Sequence, residues 1–200
     1  MKSGFFYIYM QNLNNQFTSL PGSVSGTGSS QSKVRRVLGI DPGLANTGFG
    51  IVDYLNGKYR MVCYGVIETK AHAPHGERLL TIYNRLCAVI NEFNPSEAAM
   101  ESLYFAKNAS SAMTVSEAKG VVTLCLAQHC ISLNEYRPVQ IKQAVTGSVE
   151  ADKDLVEKYV KILLGLQTVP KPDHAADALA GAITHLHYNP ILKNQLPLDS

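Results

Sequence analysis

The stretch "RVLGIDPGLANTGFGIV", residues 36–52, decides how the chain folds. An apolar run ends abruptly on Asp41, Pro42-Gly43 interrupts it, and a second apolar run restarts at Phe49. The pattern predicts one strand over 34–40 and a second over 47–55. Asn56-Gly57 is a strong hairpin signal, and "KYRMVCYGVIET" (58–69) reads as a third strand. The folded part therefore opens as a three-stranded antiparallel meander. A carboxylate at the end of a core strand is either turn punctuation or the first piece of a site.

Outward from the meander, Leu79, Leu80, Ile82, Tyr83, Leu86, Val89, Ile90 and Phe93 recur at helical spacing, and Asn94-Pro95 ends that helix. Residues 96–102 read as a short strand. Residues 108–130 read as a long helix with Asn108 as N-cap, and 131–138 as a fifth strand. Helices follow over roughly 139–146, 152–164 and 173–188. The expected class is α/β: a mixed five-stranded sheet, three antiparallel strands then two parallel, flanked by helices. Residues 1–33 are rich in Ser, Gly, Asn and Gln after "FFYIYM" and are expected to be a disordered extension. The folded domain is expected over 34–190, with a flexible tail over 191–200.

With 200 residues, 46% hydrophobic and 17% charged, the chain has the composition of a globular protein with one well-filled core. The net charge of +2 is too small to argue for a nucleic-acid partner by itself. The four cysteines, Cys63, Cys87, Cys125 and Cys130, form no C-x-x-C pair, and His129 has no second ligand pair to join. Buried reduced thiols in a cytoplasmic protein are expected, and a zinc site is not. No apolar run approaches the ~18 residues of a membrane span, and "FFYIYM" is too short for a signal sequence.

Acids at the ends of apolar strands can point into a shared crevice. Asp41 ends the first strand, and Glu101, in "AAMESLYF", ends the fourth. Each alone has a bland reading, as a turn former and as a solvated surface acid. The third piece is "KPDHAADALAGAITHLH" (171–187), where Pro172 and Asp173 look like a helix start. His174 and Asp177 are i and i+3 and share a face with Ala178, Gly181 and Thr184. Ala176, Leu179, Ala180, Ile183 and Leu186 form the core stripe. Asp173 reads most simply as the N-cap. If Asp41, Glu101, His174 and Asp177 converge, their repulsion requires a cation. Hard oxygen ligands suit Mg²⁺, and two such ions ~3.5–4 Å apart suit phosphodiester hydrolysis.

Four segments in order, "LGIDPGLANTGFGIV", "MESLYFAKNASSA", "IKQAVTG" and "DHAADALAGAITH", resemble the RuvC family of Holliday junction resolvases. The resemblance spans about residues 34–188. It implies an RNase H-like fold and a homodimer that binds four-way junction DNA. It further implies symmetric cutting of two strands with Mg²⁺, or Mn²⁺ as a substitute, in recombination and repair. The family's acidic positions fall on Asp41, Glu101, His174 and Asp177, with His174 standing where many members carry Asp. The aromatic that stacks on junction bases falls on Tyr104, and backbone-contacting lysines fall on Lys142 and Lys153. Lys107 is a further phosphate-contact candidate. The RuvA–RuvB branch-migration complex becomes an expected partner, and the cytoplasm the expected location. The sequence departs from the family at Val149, where a second glycine is common.

"GIDPG" also resembles the first phosphate loop of sugar kinases and actin-like ATPases. That class needs a second such loop, two such subdomains and a longer chain. A binding-only relative of the nucleases would lack some of the acids, whereas all four positions here have metal-capable side chains.

Overall fold

The computed structural model describes residues 6–10, 34–102 and 109–189. In chain order the strands are β1 (Phe6–Met10), β2 (Arg35–Asp41), β3 (Asn46–Leu55), β4 (Lys58–Glu68), β5 (Glu97–Glu101) and β6 (Ser132–Tyr136). The helices are α1 (His75–Phe93), α2 (Ala109–Gln128), α3 (Pro138–Thr146), α4 (Lys153–Leu163) and α5 (Asp173–Tyr188). The strands form one sheet in the order β1-β4-β3-β2-β5-β6. β2, β3 and β4 are the antiparallel meander, and β5 and β6 add in parallel beside β2. Asn56 and Gly57 both adopt positive φ, 51° and 78°, as the tight hairpin turn between β3 and β4 requires.

The expected five-stranded mixed sheet is present, and β1 extends it. Phe6–Met10 pairs antiparallel with β4, from Phe6 opposite Ile67 to Met10 opposite Cys63. The expectation that all of 1–33 is disordered is therefore corrected for these five residues. Their aromatic and β-branched composition favours an extended chain, and β4 offers an edge of backbone partners. The remainder of 1–33, the tail 191–200 and the expected cap Asn108 lie outside the described residues.

Alternation along the strands divides the core into two layers. Leu38, Ile40, Phe49, Ile51, Ala98 and Met100 face α1 and α2, where Ile82, Leu86, Val122 and Leu126 cover them. Val37, Val52 and Ala99 face the other way, toward Ile141 of α3, Val156 and Val160 of α4, and Leu179 and Ile183 of α5. By the same alternation Gly39 and Asp41 lie on the α5 face of β2, and Gly48 and Gly50 on the α5 face of β3. Gly39 sits directly opposite Gly50, and Asp41 opposite Gly48.

These glycines are a floor for α5. A Cβ on Gly39 would lie 1.8 Å from the carbonyl oxygen of Ala178. One on Gly48 would lie 2.0 Å from that of His174, and one on Gly50 would lie 2.6 Å from the Leu179 side chain. Only a missing side chain lets a helix backbone come this close to a strand. α5 is held between this floor and helices α3 and α4. As a result Ala178, Gly181 and Thr184, expected on the face of His174 and Asp177, are buried along with the core stripe.

The C-terminal end of α5 is clamped to the start of β2 and β5. The Arg35 guanidinium donates Nε to Glu97 Oε1 at 2.9 Å and Nη2 to Glu97 Oε2 at 2.7 Å, and it also donates to the carbonyl of Asn189. His185 Nε2 lies 2.8 Å from Glu97 Oε2, and its Nδ1 lies 2.8 Å from the Tyr136 hydroxyl. Burial alone would raise the Glu97 carboxyl, but the hydrogen bonds from His185 and Arg35 outweigh it and hold the group at about 2.

Gly39→Ala is expected to destabilise the fold by ~3 kcal/mol or more, a melting temperature lower by ~6–12 °C. Gly76→Ala, in α1 with nothing within 4 Å of the added carbon, is expected to leave it unchanged or raise it. Thermal unfolding followed by circular dichroism checks the pair.

Candidate active site

Two parallel strands bring the first two acids together. β2 and β5 pair in register through Ile40 opposite Met100, so Asp41 and Glu101 are the next positions on adjacent strands. Both share a face with Gly39 and Ala99, the face that α5 covers. Adjacent strands are ~4.8 Å apart, so the two carboxylates emerge side by side. The chain then leaves β2 through a loop pinned by Thr47, whose Oγ1 donates to the Gly43 carbonyl at 2.7 Å.

The first turn of α5 supplies the other two groups. His174 Nδ1 lies 2.7 Å from Asp41 Oδ2, a contact between residues 133 positions apart. Asp177, one turn later, accepts a hydrogen bond from Lys153 Nζ at 3.0 Å. Asp173 is not the N-cap: Pro172 occupies that position without a side-chain cap. Asp173 instead accepts from Lys171 Nζ at 2.7 Å, while Lys171 also reaches Glu157 at 3.0 Å.

The electrostatics of the crevice are those of crowded anions. Lost hydration raises the Glu101 carboxyl, the charges of Asp41 and Asp177 raise it further, and it reaches about 7 despite Lys153 and Lys142. Asp177 is raised, mainly by burial, with Lys153 opposing. His174 is raised by its hydrogen bond to Asp41, against burial. Desolvation pulls Lys153 down, but its hydrogen bond to Asp177 together with the charges of Asp177, Asp173 and Glu157 raises it on balance. Three carboxylates and an imidazole at the end of one sheet, with a proton retained on Glu101, are a donor set that a divalent cation would relieve.

The expected lysines border the same crevice. Lys153 is the first residue of α4, whose N-cap Asp152 accepts from the Leu155 amide at 2.8 Å. The Lys153 ammonium rests on Asp177. Lys142, on α3, is near enough for its charge to lower Glu101. Tyr104 and Lys107 lie outside the described residues. Sequence reading missed Gly39, Gly48 and Gly50 as positioning residues. Glycines inside apolar strands were the available signal, because they mark close backbone approach.

The retained proton sets a testable sign. The Glu101 carboxyl moves from an ordinary value near 4.5 to about 7 on folding, so the native state binds more protons between them. Stability of the metal-free protein is expected to fall as pH rises from ~4.5 through ~7. Glu101→Gln should flatten that decline, and added Mg²⁺ should reverse it in the parent protein at pH ~8. Melting temperatures with and without chelator across this range are the check.

The sequence profile described as "Crossover junction endodeoxyribonuclease RuvC" matches residues 37–185. The crossover junction endodeoxyribonuclease RuvC of Treponema denticola is 54% identical over 151 residues, covering 76% of this chain and 85% of that protein. The same enzyme from Chloroflexus aurantiacus is 49% identical over 158 residues, covering 79% and 96%. Among solved structures, Thermus thermophilus RuvC in complex with a Holliday junction substrate superposes with a TM-score of 0.74 at 35% identity. That match covers 77% of this chain and 94% of the other. The yeast mitochondrial resolvase Ydc2, at 14% identity and a TM-score of 0.58 over 77% of this chain and 78% of its own, shares the fold.

Proposed function

The chain belongs to the RuvC family of crossover junction endodeoxyribonucleases, and on that premise we propose that it resolves four-way DNA junctions by Mg²⁺-dependent hydrolysis of phosphodiesters. The proposed ligands of the metal are Asp41, Glu101, His174 and Asp177. The observation that carries this reading is the 2.7 Å contact of His174 with Asp41, with Glu101 pushed to about 7 by burial and by the charges of Asp41 and Asp177. A donor set of hard oxygens with one imidazole fits Mg²⁺ and also accepts Mn²⁺. Two bound ions would activate the attacking water and stabilise the leaving oxygen.

The protein's own groups prepare the site. Gly48 seats His174 over Asp41, which fixes the direction of both side chains. Glu101, which holds its proton up to about 7, would release it to serve as a ligand were a divalent cation held here. Lys153, resting on Asp177, is positioned to transfer its charge to a DNA phosphate when the carboxylates find another partner. Lys142 adds a second cation at the same rim, and Lys107 a third phosphate contact. Tyr104, just past Glu101 in sequence, is the proposed stacking platform for a junction base, worth ~1–3 kcal/mol.

Symmetric cutting of two strands calls for two copies of the site, hence a homodimer. Exposed apolar side chains on the α1–α2 layer, Leu80, Met113 and Leu124, support an interface there. RuvA–RuvB is the proposed partner that delivers junctions, and the cytoplasm the proposed location. No helix among the described residues is long and apolar enough to cross a membrane.

Asp41→Asn is expected to lower the cleavage rate by at least ~10²–10³-fold while junction binding persists, because a negative charge facing phosphate is removed. Cleavage and gel-shift assays on a synthetic four-way junction, a linear duplex and an RNA–DNA hybrid test this. Cutting confined to the hybrid would overturn the resolvase reading.

A further inference from the structure

A second cluster of ligand-type side chains lies on the opposite face of the sheet from Asp41. Cys87 of α1 and Cys125 of α2 bring their sulfurs to 3.2 Å. His129, one turn beyond Cys125, has Nδ1 2.8 Å from the Cys125 carbonyl oxygen. One ligand atom from each of the three residues lies within 4.8 Å of the others. Tyr83, one turn before Cys87, hydrogen-bonds the side chain of Gln128 across the same seam. Two helices thus present Tyr83-x₃-Cys87 and Cys125-x₃-His129 to each other. The expectation of no zinc site rested on the absence of close cysteine spacing. The fold supplies the second thiol from a helix 38 residues away.

From this geometry we infer that Cys87, Cys125 and His129 bind one Zn²⁺ ion per chain and staple α1 to α2. Two thiolates and an imidazole are the donor set that a borderline-soft tetrahedral ion takes, with the fourth position left to water. Zinc–sulfur bonds of ~2.3 Å put two sulfurs ~3.8 Å apart, so the thiols need to separate by only about half an ångström. The Cys125 carbonyl orients the imidazole, as outer-shell acceptors orient ligating histidines. Cys125 is fully buried, while Cys87 and His129 are half-buried, which leaves access from solvent. Nothing in this cluster is shared with the Asp41 crevice, so metal bound here stabilises the α1–α2 layer and takes no part in hydrolysis.

Binding displaces two thiol protons. Burial and the contact with Cys87 push the Cys125 thiol up to about 12, so the ion must compete with a firmly held proton. Apparent affinity is therefore expected to fall as pH is lowered.

The test is Co²⁺ titration of the reduced, full-length protein, followed by the near-ultraviolet thiolate-to-metal absorption band. Carboxylates give no such band, so failure here leaves the nuclease reading intact. The expected result is a band that saturates at one ion per chain, is displaced by Zn²⁺, and is lost in Cys87→Ser. His129→Ala should weaken it at least about tenfold, and Cys130→Ser should retain it. One equivalent of Zn²⁺ should raise the melting temperature of the parent by at least ~4 °C and leave that of Cys87→Ser unmoved. Absence of the band in the parent, or its survival in Cys87→Ser, overturns the proposal.

Discussion

Helix α5 rests on a strand pair from which side chains have been removed, and the active end of the molecule depends on that contact. Gly39, Gly48 and Gly50 place the carbonyls of Ala178 and His174 where a Cβ would otherwise stand. A helix lifted by even one methyl group would carry His174 and Asp177 away from Asp41. The match of lengths matters as well. From His174 to His185 the helix rises ~16 Å, and from Arg35 to Asp41 the strand rises ~20 Å. One helix can therefore meet Asp41 at one end of β2 and Glu97, beside Arg35, at the other.

The two ends of α5 differ in their charge balance. At the Glu97 end the carboxylate is matched by Arg35 and His185, and its proton affinity is driven down to about 2. At the Asp41 end the acids outnumber their partners, and Glu101 keeps a proton up to about 7. The first end is a finished structural clamp. The second is an unbalanced site, which a bound cation is expected to stabilise. Keeping these charge sets at opposite ends of one helix lets the fold carry the strain of the second on the rigidity of the first.

Much of this organisation was legible in the sequence. The meander, its Asn56-Gly57 turn and the parallel β5 and β6 followed from alternation and turn chemistry, which are local properties. Asp41, Glu101, His174 and Asp177 stood out because carboxylates at strand ends and in a helix's first turn leave the core at one edge. Less legible was whatever depends on a distant partner. Phe6–Met10 becomes a strand only because β4 has an edge to offer. Asp173 looked like a cap, but Lys171 takes its carboxylate. Ala178 and Gly181, read as lying off the core stripe of α5, are buried because they approach β2 at Gly39 and β5 at Ala99. Cys87 and Cys125 meet only through the packing of α1 on α2, which periodicity does not specify.

The central claim is that the glycine floor assembles Asp41, Glu101, His174 and Asp177 into one metal site. Anomalous scattering from crystals of the protein soaked in Mn²⁺ tests it most directly. The predicted result is an ion bound by Asp41 and at least two of Glu101, His174 and Asp177, with Lys153 displaced from Asp177. Ions found only elsewhere, with the His174–Asp41 and Lys153–Asp177 contacts intact, would contradict it.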